Sequence, residues 1–199
     1  EPCYHHRDLE TLFIILKEID DLRCLHLDLA TYHNLATKSV ETIIESLTSL
    51  LSLSKLHLAL PRNSLTEKNL KTFSSSISKL QLLTDLLLDF SGDGVTNEAI
   101  NYLFSAINKI PGLVKLVLRL SNDTNQLALP ELGINLFDFS SWKNLSLLEL
   151  DFSGFLVDSD TIASLSQALK VPQKLTNLSL KLKVHKEVPD QALQDFIIC

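Results

Sequence analysis

The residues best suited to chemistry are three charged side chains that lie 30 and 32 positions apart along the chain. Asp89, Arg119 and Asp151 alternate in sign at such intervals. On neighbouring strands of a sheet they would form an ion-pair ladder, which relieves like-charge repulsion or fixes the register of a bound partner. The catalytic alternative is an arginine that stabilises the transition state for hydrolysis of a bound nucleoside triphosphate. No associated motif accompanies Arg119. The pattern favours a binding surface.

Histidines provide the second candidate chemistry. His26 and His57 occupy equivalent repeat positions, and with Asp28 they match the residue types of a two-histidine, one-carboxylate metal site. The short ligand spacing typical of metal motifs is missing, so ordinary surface histidines are the expectation. The sequence also contains no glycine-rich phosphate loop of the G-x-G-x-x-G or G-x-x-x-x-G-K type. We therefore predict no catalytic residue, no metal and no cofactor.

The elements that position these residues come from an internal repeat. The template Leu-x-x-Leu-x-Leu-x-Leu/Phe occurs six times, with starts 30 to 32 residues apart, and a period in this range indicates a solenoid. We expect one domain over residues 1–199, with truncated repeats at both ends. The six motifs span residues 22–29, 53–60, 83–90, 113–120, 145–152 and 175–182.

Each repeat reads as a strand followed by a helix. Apolar residues alternate within every motif, which predicts a strand with one buried face. Helical spacing follows, as in Ile100, Leu103 and Ile107, which fall on one helix face. Helix starts are indicated by the possible caps Thr96 and Asp158, by Ser64-x-x-Glu67 as a capping box, and in repeat four by Pro130.

These repeats resemble leucine-rich repeats of the ribonuclease-inhibitor-like subclass, with a full helix in each unit. The resemblance implies an α/β solenoid curved into a horseshoe, with a parallel sheet on the concave face and helices on the convex face. It also implies protein binding rather than catalysis. That family prefers Asn or Cys directly after the strand, whereas this chain has Ala30, Pro61, Ser91, Ser121, Ser153 and Lys183.

Residues between the buried leucines of each strand are predicted to face the concave side in three columns. Three of them, Leu87, Val117 and Leu147, are apolar at positions that should face solvent, which suggests a contact patch beside the charges. The helical face and the enlarged loop Ser121–Gln126 are the alternative surfaces. The predicted partner-binding set is His57, Asp85, Leu87, Asp89, Lys115, Val117, Arg119, Leu147, Glu149 and Asp151.

Composition narrows the class of partner. A formal net charge of −6 argues against nucleic acid and anionic membrane as partners. No apolar run is long enough for a membrane span. The three cysteines are odd in number and far apart, which indicates a reducing compartment and a cytoplasmic, intracellular location. The chain lacks methionine altogether, so we expect it to be part of a longer protein or a multi-subunit complex.

The functional prediction is a non-catalytic protein–protein interaction module or scaffold subunit that binds another protein through the concave sheet. Two alternatives remain open. One is the ligand-sensing repeat region of a multidomain receptor or regulator. The other, from a different class, is a GTPase-activator-like protein that uses Arg119.

Overall fold

The computed structural model describes residues 5–32, 35–61, 65–92, 95–121 and 137–184. Strands and helices alternate along most of this length, as the repeat predicts. The elements are α1 His5–Leu16, β1 Cys24–Asp28, α2 Thr37–Leu47, β2 Lys55–Ala59, α3 Glu67–Ile77, β3 Asp85–Asp89, α4 Asn97–Ile107, β4 Lys115–Arg119, β5 Leu147–Val157, α5 Ser159–Ala168 and β6 Asn177–Val184.

The six strands form one parallel sheet in sequence order, β1 to β6. Equivalent motif positions pair across it, so that Leu56 lies beside Leu86, Leu86 beside Leu116, and Leu116 beside Leu148. The predicted arrangement of consecutive motifs on neighbouring strands is therefore confirmed. Because strand side chains alternate between faces, this register places one row of leucines inward and leaves the residues between them on the opposite face.

The core lies between the sheet and the helices. Leu86, Leu116 and Leu148 are at most 1% exposed. They meet the apolar faces of the helices, including Ile100 and Phe104 of α4, which are equally buried. Neighbouring helices α1 to α4 pack on one another in order. Each unit therefore buries its apolar face against the next unit, which is how a solenoid is stabilised.

Helix starts agree with the sequence at two sites and differ at a third. The side chains of Thr96 and Asp158 accept hydrogen bonds from backbone N–H groups in the first turns of α4 and α5, which confirms both predicted caps. The capping box is wrong for α3, because its cap is Thr66, which accepts from the Asn69 N–H. Glu67 is then the first helical residue rather than the third, and it cannot reach back as a capping box requires.

The fourth repeat is described only in part. Its predicted helix start at Pro130 lies in residues 122–136, outside the described ranges, as does most of the loop Ser121–Gln126. Where the chain is described again, Phe139 stacks on Trp142 with ring centroids 4.4 Å apart, and both are buried. Strand β5 then continues beyond the motif, with a register shift against β6 between Phe152 and Leu156. None of the helices in the described ranges is long and apolar enough to cross a membrane.

Candidate functional site

The sheet register brings the predicted partner-binding residues together on one face. In the first column Lys55, Asp85, Lys115 and Leu147 lie side by side on β2 to β5, and in the second His57, Leu87, Val117 and Glu149 do so. The third column is Ala59, Asp89, Arg119 and Asp151. Neighbours within a column are one strand spacing apart, roughly 4.8 Å. All ten predicted site residues therefore share this face of β2–β5.

Apolar side chains form the floor of a shallow groove on this face. Leu87, Val117 and Leu147 are each half-buried, as is His57, although a solvent-facing strand position would usually carry a polar residue. The groove has a volume of about 370 Å³, within the usual range of binding clefts. Its floor and sides are formed by Cys24, His26, Lys55, His57, Asp85, Leu87, Lys115, Val117 and Leu147.

Arg119 lies in the third column, on the carboxyl side of the groove, and is held by two carboxylates. Its Nε is 2.9 Å from Glu149 Oε1, and its Nη1 is 3.7 Å from Asp89 Oδ2. The hydrogen bond to Glu149 is the main reason that the pKa of Arg119 is raised. A guanidinium acting on a bound nucleotide would first have to release both carboxylates. This arrangement does not favour the arginine-finger alternative.

The predicted ladder of Asp89, Arg119 and Asp151 is wrong at its third member. Asp151 pairs with Lys181 of β6, whose Nζ is 2.9 Å from Asp151 Oδ2. The guanidinium turns instead to Glu149, one column away. The physical reason is competition, because the Asp151 side chain is 10% exposed and already accepts hydrogen bonds from Ser153 of its own strand. Two separate charge clusters replace one ladder.

The column-three carboxylates also have a structural role that was not predicted. Asp151 Oδ1 accepts from the N–H of Ser153, at 3.0 Å, and from its hydroxyl. Asp89 does the same for Ser91, with the hydroxyl at 2.8 Å. At Asp89 these bonds close the turn that leaves β3, in the manner of an Asx-turn. At Asp151 they hold the backbone of β5 next to its register shift. The signal was available in the sequence, because Asp-Phe-Ser occurs at residues 89–91, 138–140 and 151–153.

His26 and His57 meet at the β1 end of the groove. Their rings stack with centroids 3.8 Å apart and planes 26° apart. Burial lowers the pKa of His57, and the neighbouring His26 lowers it further. The nitrogen lone pairs of a histidine lie in the plane of its ring. Because the two rings are stacked with nearly parallel planes, their lone pairs do not converge on one metal ion. The described residues contain no cluster of three or more metal-ligating side chains, and the stacked pair serves as an aromatic extension of the groove floor.

The parallel sheet, the one-helix repeat and the inward leucine rows define the class: the fold is that of a leucine-rich repeat solenoid. A solved neighbour supports this. The chain is similar to the leucine-rich repeat protein in the crystal structure of the TLR13–ssRNA13 complex, with 21% identity and a TM-score of 0.51. The match covers 90% of this chain and 22% of that one, so this chain spans about a fifth of its length. No protein-family model and no curated protein matches significantly.

Proposed function

We propose that this chain is a non-catalytic protein-interaction module, or scaffold subunit, that binds a protein partner through its concave sheet face. One observation carries the proposal: the half-buried apolar side chains of Leu87, Val117 and Leu147 line a groove, beside the half-buried ring of His57, where strand positions would ordinarily be polar. An apolar centre with a charged rim is the anatomy of a protein interface. The other predicted site residues surround that centre with charge, and among them Asp151 pairs with Lys181.

A protein partner is favoured over nucleic acid by the state of the cations. The solved neighbour is described as a complex with ssRNA, and backbone recognition of RNA needs uncompensated positive charge. On this face Lys115, Arg119 and Lys181 each lie within ion-pair distance of a carboxylate. Lys55 has no carboxylate partner among the described residues, but one unpaired ammonium group is less than recognition of a phosphate backbone needs. Releasing three cations from their carboxylates would cost much of the electrostatic gain from binding phosphates.

Two finer assignments belong to the same proposal. We assign the repeats to the ribonuclease-inhibitor-like subclass, because α2 to α5 provide full helices of 10 to 11 residues between strands. We also place the protein in the cytoplasm, since Cys24 is an exposed free thiol, which a reducing compartment preserves. Fluorescence microscopy of the tagged full-length protein tests the location. A signal confined to the secretory pathway would contradict it.

The alternative within the same fold is the ligand-sensing repeat region of a multidomain receptor or regulator. The groove also favours this second function, because about 370 Å³ lies within the size range of small-molecule sites. Sequence flanking the chain distinguishes the two. A nucleotide-binding, kinase or membrane-spanning segment in the parent protein would favour the receptor.

Site-directed photo-crosslinking in cells tests the main proposal. A photoreactive amino acid replaces Leu87 in the groove, and in a matched variant it replaces Ser105, which is exposed on α4. We expect one discrete protein adduct from position 87 and none of the same mass from position 105. An adduct from position 105 alone would place the interface on the helical face and overturn the proposal.

A further inference from the structure

We infer that the partner presents an amphipathic α-helix to the groove, lying across β2–β5, with carboxylates along the flank that faces Lys55 and Lys115. This inference rests on the proposed function, because it names the kind of segment that the concave face receives. Three features of the groove support it. The first is the spacing of the floor residues. The second is the positive charge of the amino-side rim, which is the first column, with Lys55, Asp85 and Lys115. The third is the negative charge on the carboxyl-side rim, where the strands end.

The floor repeats at a distance that suits a helix. His57, Leu87 and Val117 are in register on consecutive strands, so the first and third are about 9.6 Å apart. Side chains at positions i and i+7 of a helix face the same way and are about 10.5 Å apart, with i+3 and i+4 between them. Same-face side chains of an extended segment recur at about 6.8 Å and drift out of step with the floor.

The amino-side rim carries two positive charges, which are two strands apart, as His57 and Val117 are in the floor. Lys55 and Lys115 lie two strands apart in the first column, and both are exposed. Lys55 pairs with no carboxylate among the described residues. Lys115 Nζ is 3.7 Å from Asp85, whose other oxygen accepts from the Thr84 hydroxyl at 2.8 Å. Two ammonium groups against one engaged carboxylate leave a net positive rim, which complements acidic side chains at i and i+7.

The carboxyl-side rim has the opposite sign. Asp89 of the third column and Glu149, at the β5 end of the second column, share the single guanidinium of Arg119, which leaves one net negative charge on the carboxyl side of the groove. A helix with acidic residues on one flank and basic residues on the other is therefore complementary to both rims. Turning such a helix end for end exchanges its flanks, so the two rims also select its direction. Opposed charge of this kind contributes to specificity by penalising the wrong orientation.

Three labelled peptides of about 18 residues, or five helical turns, serve as probes. The first has a leucine stripe at i, i+3, i+4 and i+7, with glutamates on one flank and lysines on the other. The second has lysines on both flanks. The third has the composition of the first, but its leucines alternate with polar residues, as in a strand. Binding to the full-length protein is measured by fluorescence anisotropy, and helix formation by circular dichroism.

The paired variant Lys55→Glu/Lys115→Glu tests the charge order. We expect it to weaken binding of the first peptide by about tenfold, because each change replaces an attraction with a repulsion. It should strengthen binding of the second peptide. The matched control is Lys79→Glu/Lys109→Glu, two exposed lysines one repeat apart near the ends of α3 and α4, and we expect it to leave both affinities unchanged.

Three results would each overturn the inference: no binding of the first peptide, equal binding of the third, or insensitivity to the Lys55/Lys115 pair. The crosslinking experiment separates such a failure from failure of the proposed function. If position 87 still captures a partner, mass spectrometry of the adduct identifies the segment that occupies the groove. A non-helical segment leaves the interaction module standing without the helix, whereas the absence of any adduct from position 87 removes both.

Discussion

Replacing Asp151 should destabilise the fold, even though sequence analysis assigned this residue to a partner. The side chain is 10% exposed, and its carboxylate accepts hydrogen bonds from the N–H and hydroxyl of Ser153 and from Lys181 Nζ. Asp151→Asn retains one acceptor for Ser153 but points an amide NH₂ group at the Lys181 ammonium. Asp151→Ala removes every acceptor and leaves Ser153 and Lys181 without this partner.

The magnitude follows from the kind of bond that is lost. A hydrogen bond to a charged group contributes about 1.5–3 kcal/mol, but the Lys181 side chain is 61% exposed, which places its share near or below the lower end. We therefore expect Asp151→Asn to lower the free energy of unfolding by about 1–2 kcal/mol and Asp151→Ala by about 2–4 kcal/mol. Asp138→Asn is the matched control. Its exposed carboxylate accepts from Ser140 in the same Asp-Phe-Ser sequence, and its loss should cost below about 1 kcal/mol.

The pH dependence of stability provides a second readout. Burial raises the pKa of Asp151, but hydrogen bonds from Ser153 and Lys181 outweigh it and hold that pKa below its ordinary value of 3.8. The unfolded chain therefore binds a proton at a higher pH than the folded chain does. This stabilisation is present above the unfolded pKa of about 4 and is lost as the pH falls through the lower folded pKa.

Urea unfolding at pH 7, repeated in steps down to about pH 3, measures both effects. Wild-type protein should lose stability more steeply below about pH 4 than Asp151→Asn, because the variant lacks the titrating group. The free energy of unfolding of Asp151→Asn could lie within about 0.3 kcal/mol of the wild-type value, or the two curves of stability against pH could coincide below about pH 4. Either result would mean that the carboxylate does not stabilise this segment. The structural role given to Asp-Phe-Ser would then be withdrawn.

Three further predictions concern the core, the groove and the histidine pair. Leu116→Ala should cost about 2–5 kcal/mol in chemical denaturation, because Leu116 is fully buried; a loss below about 1 kcal/mol would mean that the packing is misread. Leu87→Asp and Arg119→Glu should each abolish capture of the partner, and normal capture by both would move the interface elsewhere. Thermal unfolding should change little in Leu87→Asp and fall modestly in Arg119→Glu, where the new carboxylate adjoins Asp89 and Glu149. The pKa of His57 is lowered from 6.5 in the folded chain, so the unfolded chain takes up a proton at a higher pH. Stability should therefore fall as the pH drops below about 6.5, and His57→Gln should flatten that dependence. An unchanged slope in the variant would assign the effect to other groups.

The fold was predictable because its information is periodic and local. Six copies of one template specify strand, register and buried row together, and a slip of one residue would turn every leucine outward. The caps Thr96 and Asp158 followed from residue type and position alone. The capping box at Ser64 failed because the helix begins at Glu67, and residue type alone does not specify a helix boundary to within one or two positions.

The placement of the candidate residues was predictable, but their pairing was not. The columns follow from repeat position, so Leu87, Val117 and Arg119 lie on one face of the sheet, as the sequence predicts. Repeat position cannot say which of two carboxylates a long guanidinium reaches, because Glu149 and Asp151 both lie on the adjoining strand. That choice depends on the competing bonds of Asp151 to Ser153 and Lys181, which are side-chain geometry rather than spacing.

The backbone-bonded carboxylates divide the concave face into two parts that mutation can alter with very different ease. In the third column, Asp89 holds the backbone where it leaves β3, and Asp151 holds it next to the register shift of β5, so changing their charge also loosens the chain there. In the first two columns, side chains such as Lys55 and Leu87 close no turn among the described residues. Substitutions there can exchange one partner for another at little expense to folding. A lineage that retargets this protein should therefore rewrite the amino-side half of the sheet and keep its carboxyl-side edge.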